Sequence, residues 1–347
     1  MLGIDSRAAR STWTAALVVL ALWLVYLVRS TLYIFILAVL FAYLLAPLVN
    51  LLDRLLPTRA TRTLALALAY VLLVGLVAAG AIVVGTKVVE QATQLASVFP
   101  QKFQGLVDSF QASVPDRLKN ELATRSNDLF AALPQFGLKF LKLAGNLIYV
   151  VIIPVLAFFF LKDGTVIRDH VLALVKAGPR HKLLNDVMAD IHLLLAHYMR
   201  ALVLLSAIAF AAYGIFFSVL GIPFAILLAA MGAALEFIPT LGPLTASAII
   251  LLVAAVTGGH LLAIVIFIVA FRMFQDYLVS PTLMGQGVEL HPLLVLFGVF
   301  AGAEVAGIPG AFLSVPVLAL ARVLYLRLRH ARISRAGTQE SGGGGET

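Results

Sequence analysis

The chain contains no cysteine and few charged residues. Without cysteine it can form neither disulfides nor thiolate metal sites, so cysteine usage carries no information about its redox compartment. Charged residues make up 12% of the 347 residues, which is about half of the roughly 25% that is usual in soluble domains. This scarcity of charge argues against a soluble globular protein.

Catalytic and cofactor motifs are missing as well. Residues 80–87 have the glycine spacing of a phosphate loop, but Thr86 and Lys87 stand in the reverse of the required order, inside an apolar run. His192 and His197 are five residues apart and lack the HExxH frame of a zinc site. The serines of the apolar stretches have no partnered base. We therefore predict that the chain is not an enzyme and that it holds no metal and no cofactor.

Long apolar stretches take the place of these motifs. Hydrophobic residues make up 62% of the chain, and the mean hydropathy is +1.03. Because about 18 apolar residues are needed to cross a bilayer, the sequence predicts an all-α polytopic membrane protein with about eight membrane segments, two of them broken, and with membrane lipids as its surroundings. The predicted segments are 14–28, 31–52, 63–86, 143–161, 201–220, 223–257 (broken), 260–281 and 291–326 (broken).

Changes in composition divide the chain further. Residues 87–142 are more polar and carry Leu95, Phe99 and Phe103 at helical spacing, which predicts a small helical insert. Its apolar stripe could form a compact cap, lie on the membrane surface, cover the mouth of a pathway or pack on a neighbouring subunit. The predicted divisions are membrane helices in 1–86, the insert in 87–142, a membrane helix in 143–161, an amphipathic linker in 162–200, a core with broken helices in 201–326, and a basic then disordered tail in 327–347.

Arginines near the apolar runs predict the orientation. Arg54, Arg59 and Arg62 outnumber the lone Arg29 of the first hairpin, which places the N-terminus on the cytoplasmic side. Five further arginines lie near or beyond the end of the last apolar run, namely Arg322, Arg327, Arg329, Arg332 and Arg335. We therefore expect both termini to be cytoplasmic and the insert to be extracytoplasmic. The formal net charge of +8 is then a signal of topology and of lipid headgroups, and it does not indicate a nucleic-acid partner.

Proline and glycine interrupt the last apolar segments. Proline removes a helix donor and glycine loosens the turn, so backbone carbonyls and amides become free at membrane depth, where they can bind ions or polar solutes. A short internal echo accompanies the breaks, because residues 221–227 and 307–313 agree at five of seven positions. The predicted break residues are Pro239, Gly242, Pro243, Pro281, Gly307, Pro309 and Gly310.

Four ionisable residues lie within the same apolar stretches: Glu236, Arg272, Asp276 and Glu304. A charge at mid-bilayer costs about 2.5 to 3.5 kcal/mol, so each is a candidate transport or ion site. Arg272 and Asp276 are one helical turn apart, and they could equally form a structural ion pair or lie at the interface. Glu236 precedes Pro239 and could bind a cation or proton together with freed carbonyls, or it could lock a helix by a hydrogen bond.

The order and spacing of these motifs resemble the autoinducer-2 exporter family of bacterial permeases over about residues 145–325. Two departures accompany the resemblance: Ala201-Leu202 replaces a common Gly-Gln pair, and Asp276 stands where Glu or Asn is frequent. The matching runs are 236–243, Gln275-Asp276 with Pro281, 288–292, 307–311 and Val315-Pro316.

The resemblance implies a secondary transporter in the bacterial inner membrane, possible homo-oligomers and the export of a small polar signal such as autoinducer-2. Some members of the family are sodium/proton antiporters, so a monovalent cation or proton is an alternative partner. A membrane scaffold that does not transport is the remaining alternative, since fold alone does not fix function.

Overall fold

The structure is a computed structural model that describes residues 6–55, 62–111, 147–258, 260–284 and 290–342. Every regular element in these ranges is helical, which confirms the all-α class. The helices are α1 Ser6–Leu27, α2 Arg29–Leu55, α3 Arg62–Gly80, α4 Thr86–Gln111, α5 Leu147–Ala173, α6 Pro179–Val219, α7 Ala225–Leu235, α8 Leu241–Thr257, α9 Leu261–Phe274, α10 Ser280–Met284 and α11 Pro292–Gly342. Two π-helical turns, Ala81–Gly85 and Gln275–Val279, join α3 to α4 and α9 to α10.

Within the described residues, four helical stretches are long and apolar enough to cross a membrane. Three shorter apolar helices accompany them: Ser11–Leu27, Ala225–Leu235 and Leu241–Thr257. The four candidate spans are Arg29–Leu52, Pro179–Val219, Leu261–Thr282 and Pro292–Arg329. The fold is therefore that of a polytopic helical protein, and the count of about eight segments stays a prediction.

Residues 225–257, which hold nearly all of the first predicted broken segment (223–257), form a helical hairpin that we call hairpin 1. A straight helix would separate Leu235 from Gly242 by about 10 Å, yet a Cβ atom added to Gly242 would overlap the Leu235 carbonyl. The chain therefore turns back on itself between α7 and α8. Because α7 has 11 residues and a length of about 16 Å, it is too short to cross a hydrocarbon core of about 30 Å.

Residues 292–329, which hold nearly all of the second predicted broken segment (291–326), form hairpin 2. Helix α11 loses helical geometry at Ala306 (φ −140°, ψ 15°) and Gly307 (φ 63°, ψ −144°). A Cβ atom added to Gly302 would overlap the carbonyl of Gly310, and one added to Gly310 would overlap the carbonyl of Gly302. Residues eight apart in a straight helix lie about 12 Å from each other. The two halves of α11 therefore lie against each other and run in opposite directions.

The two hairpins lie along opposite ends of α6. Hairpin 1 follows the C-terminal half, where the Ser206 hydroxyl donates to the Ala233 carbonyl at 2.8 Å. Hairpin 2 follows the N-terminal half, where Arg327 donates to Asp190 through Nε at 2.6 Å and Nη2 at 2.9 Å. Both tips consequently point toward the middle of α6. The tips meet there, where the ring of Phe237 of hairpin 1 packs against the ring of Phe312 of hairpin 2.

The first part of the predicted insert, helix α4, packs on hairpin 1. Phe99 is buried in the same cluster as Leu228 of α7 and Ile250 of α8. The Gln91 side-chain carbonyl accepts a hydrogen bond of 2.8 Å from the Leu227 N–H, which is in the first turn of α7. Gln91 thereby satisfies one of the amides that a helix start leaves free. The remainder of the insert, from residue 112 to 142, lies outside the described residues.

At the C-terminus, α11 continues to Gly342, whereas composition predicts disorder from residue 336. No proline stands between Pro316 and the end of the chain, so a helix that is already nucleated can propagate without losing a backbone donor. The basic tail is accordingly helical over residues 327–342.

Candidate functional site

The tip of hairpin 1 combines a buried carboxylate with an unusual turn. Glu236 directly follows α7 and is only 7% exposed. Beyond it, the Leu241 N–H donates to the Pro239 carbonyl at 2.7 Å across Thr240, whose φ is 64° and ψ is −56°. This is a γ-turn with positive φ, a conformation that is rare and strained for a residue with a side chain. The strained backbone therefore lies four residues from the buried acid.

Arg272 on α9 binds both acidic groups of this region. Its Nη1 lies 3.5 Å from Glu236 Oε1, while Nε and Nη2 lie 3.0 Å and 2.9 Å from the two oxygens of Asp276. Arg272 and Asp276 are one helical turn apart, and they form the ion pair that this spacing allows. Asp276 has a side chain that is 48% exposed, whereas that of Glu236 is 6% exposed. One guanidinium therefore links a buried carboxylate to one that is accessible.

Gln275 completes the cluster, and sequence reasoning did not single it out as a site residue. It is 2% exposed, and its Oε1 accepts a hydrogen bond of 3.3 Å from Arg272 Nη1. Its Nε2 is buried and has no hydrogen-bond partner in the described part of the chain. The sequence does hold a signal for it, since an uncharged amide inside an apolar helix is costly unless it is bonded.

A π-helical turn sets the positions of Gln275 and Asp276. The Ser280 N–H donates to the Gln275 carbonyl, five residues back, in place of the usual four. Pro281 follows at once, and its ring would clash with the Tyr277 carbonyl in a regular helix. The wider turn avoids that clash. Turns of this kind recur at functional sites.

The break residues divide between the two tips. Gly242 and Pro243 are buried at the start of α8, and Gly307 adopts a φ of 63° that favours glycine. At hairpin 1 the tip holds Pro239, Gly242 and Pro243, and at hairpin 2 it holds Gly307, Pro309 and Gly310, whereas Pro281 lies apart in α10.

Glu304 is not part of the ion-pair cluster. It lies on the first half of hairpin 2, where it is exposed and forms no ion pair with another described residue. Three of the four predicted charges, Glu236, Arg272 and Asp276, therefore come together, and the fourth does not. Among the residues that the structure describes, no group of three or more histidine or acidic side chains could hold a metal ion.

A second buried polar atom lies on the hairpin 2 side. The Tyr198 hydroxyl, on α6, has no hydrogen-bond partner within the described ranges, and the residue is 3% exposed. It packs in an apolar cluster with Leu313 of hairpin 2, and Phe237 and Phe312 pack against that cluster. Unpaired buried polar atoms thus occur on both sides of the place where the tips meet.

A protein-family model described as "AI-2E family transporter" matches residues 15–330. The chain belongs to this family of transporters. The resemblance carried by residues 236–243 and 307–311 is thereby confirmed, as is a multi-pass membrane protein of a transporter family. This agrees with the prediction that the chain is not an enzyme.

Three similar proteins are named only as transport proteins. YrrI of Bacillus subtilis (strain 168) is 29% identical over 181 residues, which are 51% of this chain and 51% of YrrI. MT0215 of Mycobacterium tuberculosis (strain CDC 1551 / Oshkosh) is 32% identical over 163 residues, 46% of this chain and 44% of that protein. YueF of Bacillus subtilis is 25% identical over 300 residues, 81% of this chain and 80% of YueF. The match thus spans about half the length of the first two relatives.

Proposed function

We propose that this chain is a secondary transporter whose solute passes between the tips of hairpins 1 and 2. The observation that carries the proposal is the burial of Glu236 beside Arg272 where the two tips meet. Charges in a membrane are costly and are kept where they act on a solute or ion. Broken helices at mid-membrane supply the backbone groups for such a site.

The opposed entry of the hairpins suggests how the site reaches either side. Hairpin 1 borders the route from the C-terminal end of α6, and hairpin 2 borders the route from its N-terminal end. Movement of one tip at a time would expose the Glu236 region to one side while the other tip keeps the second side closed. A solute can shift this equilibrium only through different affinities for the two states.

For the solute, we propose a small polar molecule such as autoinducer-2, moved outward across the bacterial inner membrane. The family description of the matching model supports this choice. Each hairpin enters and leaves the membrane on the same side, so neither changes the side on which the chain continues. This agrees with cytoplasmic positions for both termini. A homo-oligomer remains part of the proposal.

A sodium/proton antiporter is the second candidate, and the sharing of Arg272 favours it. Because Glu236 and Asp276 compete for one guanidinium, a sodium ion or a proton could neutralise Glu236 while Arg272 stays with Asp276. In this mechanism the organic solute is absent, and the charge cluster itself performs the exchange.

The two candidates are separated by reconstitution of the full chain in vesicles. Loss of autoinducer-2 flux in Glu236→Gln, with retained flux in Glu304→Gln, supports the solute transporter, because Glu304 lies outside the cluster. Proton movement on addition of sodium alone, lost in Glu236→Gln, supports the antiporter. If both variants transport as the parent chain does, the hairpin 1 tip is not the transport site. If the parent chain itself moves neither autoinducer-2 nor protons, the scaffold role takes precedence.

A further inference from the structure

The ring of Tyr213, on α6, touches both of the helices that carry the Glu236–Arg272 pair. On one side it packs against Phe271 of α9, with 5.1 Å between the ring centroids and an interplanar angle of 62°. On the other side it meets α7, because a Cβ atom added to Gly232 would lie 2.9 Å from its Cδ2 atom and 3.0 Å from its Cε2 atom. Tyr213 is 3% exposed, so the ring is enclosed by the protein.

Both contacts of the ring lie next to a charged residue. Gly232 is one helical turn before Glu236, whose N–H donates to the Gly232 carbonyl at 3.2 Å, and residues four apart share a helix face. Phe271 directly precedes Arg272 in the sequence. The charges of Glu236 and Arg272 both act on the Tyr213 hydroxyl. The position of this ring is therefore tied to the separation of the two charges.

The glycine at position 232 fits this arrangement. Glycine inside a helix is less favourable than alanine, and the other residues of α7 are alanine, leucine, isoleucine and methionine. A methyl group at this position would lie within 3.0 Å of the Tyr213 ring. The glycine of α7 therefore stands where the ring needs room.

The length of the Glu236 contact is the second observation. Arg272 Nη1 lies 3.5 Å from Glu236 Oε1, whereas charged hydrogen bonds of this kind are usually about 2.7 to 2.9 Å long. The same guanidinium reaches Asp276, one turn along its own helix, at 2.9 Å through Nη2. The pair is thus close where the partner is local and longer where the partner comes from α7. A ring of fixed size between α7 and α9 accounts for this difference.

We propose that Tyr213 is a positioning residue whose ring keeps α7 and α9 apart, so that Glu236 stays loosely paired with Arg272. This role rests on the proposed function and adds a reason for the length of the pair. A solute or ion that binds Glu236 has to compete with Arg272 for the carboxylate. Because the attraction between charges falls with distance, a longer pair is easier to displace.

The test is the energetic coupling between Glu236→Gln and Arg272→Met, measured as a double-mutant cycle by reversible unfolding of the full chain in detergent. In Tyr213→Ala the two helices can approach, and we expect the coupling to rise roughly twofold because the pair gains a close charged hydrogen bond. Tyr213→Phe keeps the ring and should keep the coupling of the parent chain. Loss of a side chain that only fills space would not strengthen the pair.

Gly232→Ala changes the spacing in the opposite direction. Its methyl group adds to the contact between the ring and α7, so we expect the coupling to fall below that of the parent chain. In the Tyr213→Ala background the same change should no longer lower the coupling. The matched control is Phe216→Leu, because Phe216 belongs to the same aromatic cluster and its ring contacts are with Phe217 and Phe267. It should leave the coupling unchanged.

The outcomes separate the spacer from its alternatives. A coupling that stays constant or falls in a folded Tyr213→Ala protein overturns the inference. If Asp276→Asn then raises the coupling instead, the sharing of Arg272 sets the length of the pair. If Tyr213→Ala does not fold, Gly232→Ala decides: a lowered coupling supports the spacer, and an unchanged one overturns it.

Flux of autoinducer-2 into vesicles distinguishes a failure of this inference from a failure of the proposed function. We expect Tyr213→Ala to reach half-maximal flux at a higher solute concentration than the parent chain, and Phe216→Leu to match the parent. If Glu236→Gln abolishes flux while Tyr213→Ala changes neither the coupling nor the half-maximal concentration, only the spacer is wrong. If the coupling responds as expected while Glu236→Gln leaves flux intact, the spacer stands and the transport site is misplaced.

Discussion

The ring of Phe237 lies against the ring of Phe312, with 6.0 Å between their centroids and an interplanar angle of 57°. Phe237 follows Glu236 on hairpin 1, and Phe312 lies just after the break of hairpin 2. This pair is thus a direct contact between the two hairpin tips. The coupling of the tips can be measured through it.

We predict that Phe237→Ala and Phe312→Ala are coupled in stability. Aromatic pairs of this geometry contribute about 0.5 to 1.5 kcal/mol beyond their buried area. The double variant should therefore lose less free energy of unfolding than the sum of the two single variants, by about that amount. Reversible unfolding in detergent provides the measurement. Strict additivity would contradict the contact.

Arg272→Met should destabilise the protein strongly, because it leaves Glu236 buried without a counter-charge. Removal of one partner of a buried pair costs about 3 to 5 kcal/mol. The Arg272 side chain is 35% exposed, so we expect the loss to fall at the lower end of this range. Adding Glu236→Gln to Arg272→Met should recover much of the loss.

The matched control for Arg272 is Arg200→Met, since Arg200 is exposed on α6. Its effect should stay within about 0.5 kcal/mol. Equal losses for Arg272→Met and Arg200→Met would mean that the pairing with Glu236 does not contribute to stability.

Gly242→Ala should destabilise hairpin 1, because its added methyl group would overlap the Leu235 carbonyl. The neighbour is backbone and cannot rotate away, so we expect a loss at or above the upper end of the 1 to 3 kcal/mol that overpacking usually costs. Gly164→Ala is the control, since Gly164 lies in α5 with nothing within 4 Å of an added Cβ. That change should stabilise by about 0.5 to 1 kcal/mol. The melting temperature provides the measurement: Gly242→Ala should lower it and Gly164→Ala should raise it.

Tyr198→Phe is expected to stabilise the protein. The change removes a buried hydroxyl that has no partner in the described ranges while it keeps the ring that packs with Leu313. Unsatisfied buried polar groups cost about 1 to 3 kcal/mol. The melting temperature of the variant should therefore be higher than that of the parent chain. A fall in melting temperature would mean that the hydroxyl has a partner, such as a bound water.

Sequence reasoning could locate the breaks but not the direction that the chain takes after them. Pro239 and Gly307 are of the residue types that weaken a helix, whereas the turn of α11 depends on the contact between Gly302 and Gly310, which only the folded backbone reveals. The echo between residues 221–227 and 307–313 has a local counterpart, because Gly221 and Gly307 have φ values of 64° and 63°. The two similar segments therefore begin with glycines of the same positive φ.

The charge cluster shows the same limit. Arg272 and Asp276 are four residues apart, so helical geometry alone brings them together. Glu236 is 36 residues from Arg272, and no local rule links them. Glu304 precedes its break much as Glu236 does, yet it lies apart, because position relative to a break does not determine which neighbour a side chain meets.

The hydrogen bond from Leu227 to Gln91 has a consequence for biogenesis. Translation begins at the N-terminus, so α4 leaves the ribosome well before α7. The cap and the apolar surface that receive hairpin 1 can therefore be in place when its residues arrive. In a chain with Gln91 replaced, the Leu227 N–H would lack this hydrogen-bond acceptor when hairpin 1 inserts. Newly made copies would then remain susceptible to proteases for longer, even where the mature protein is equally stable.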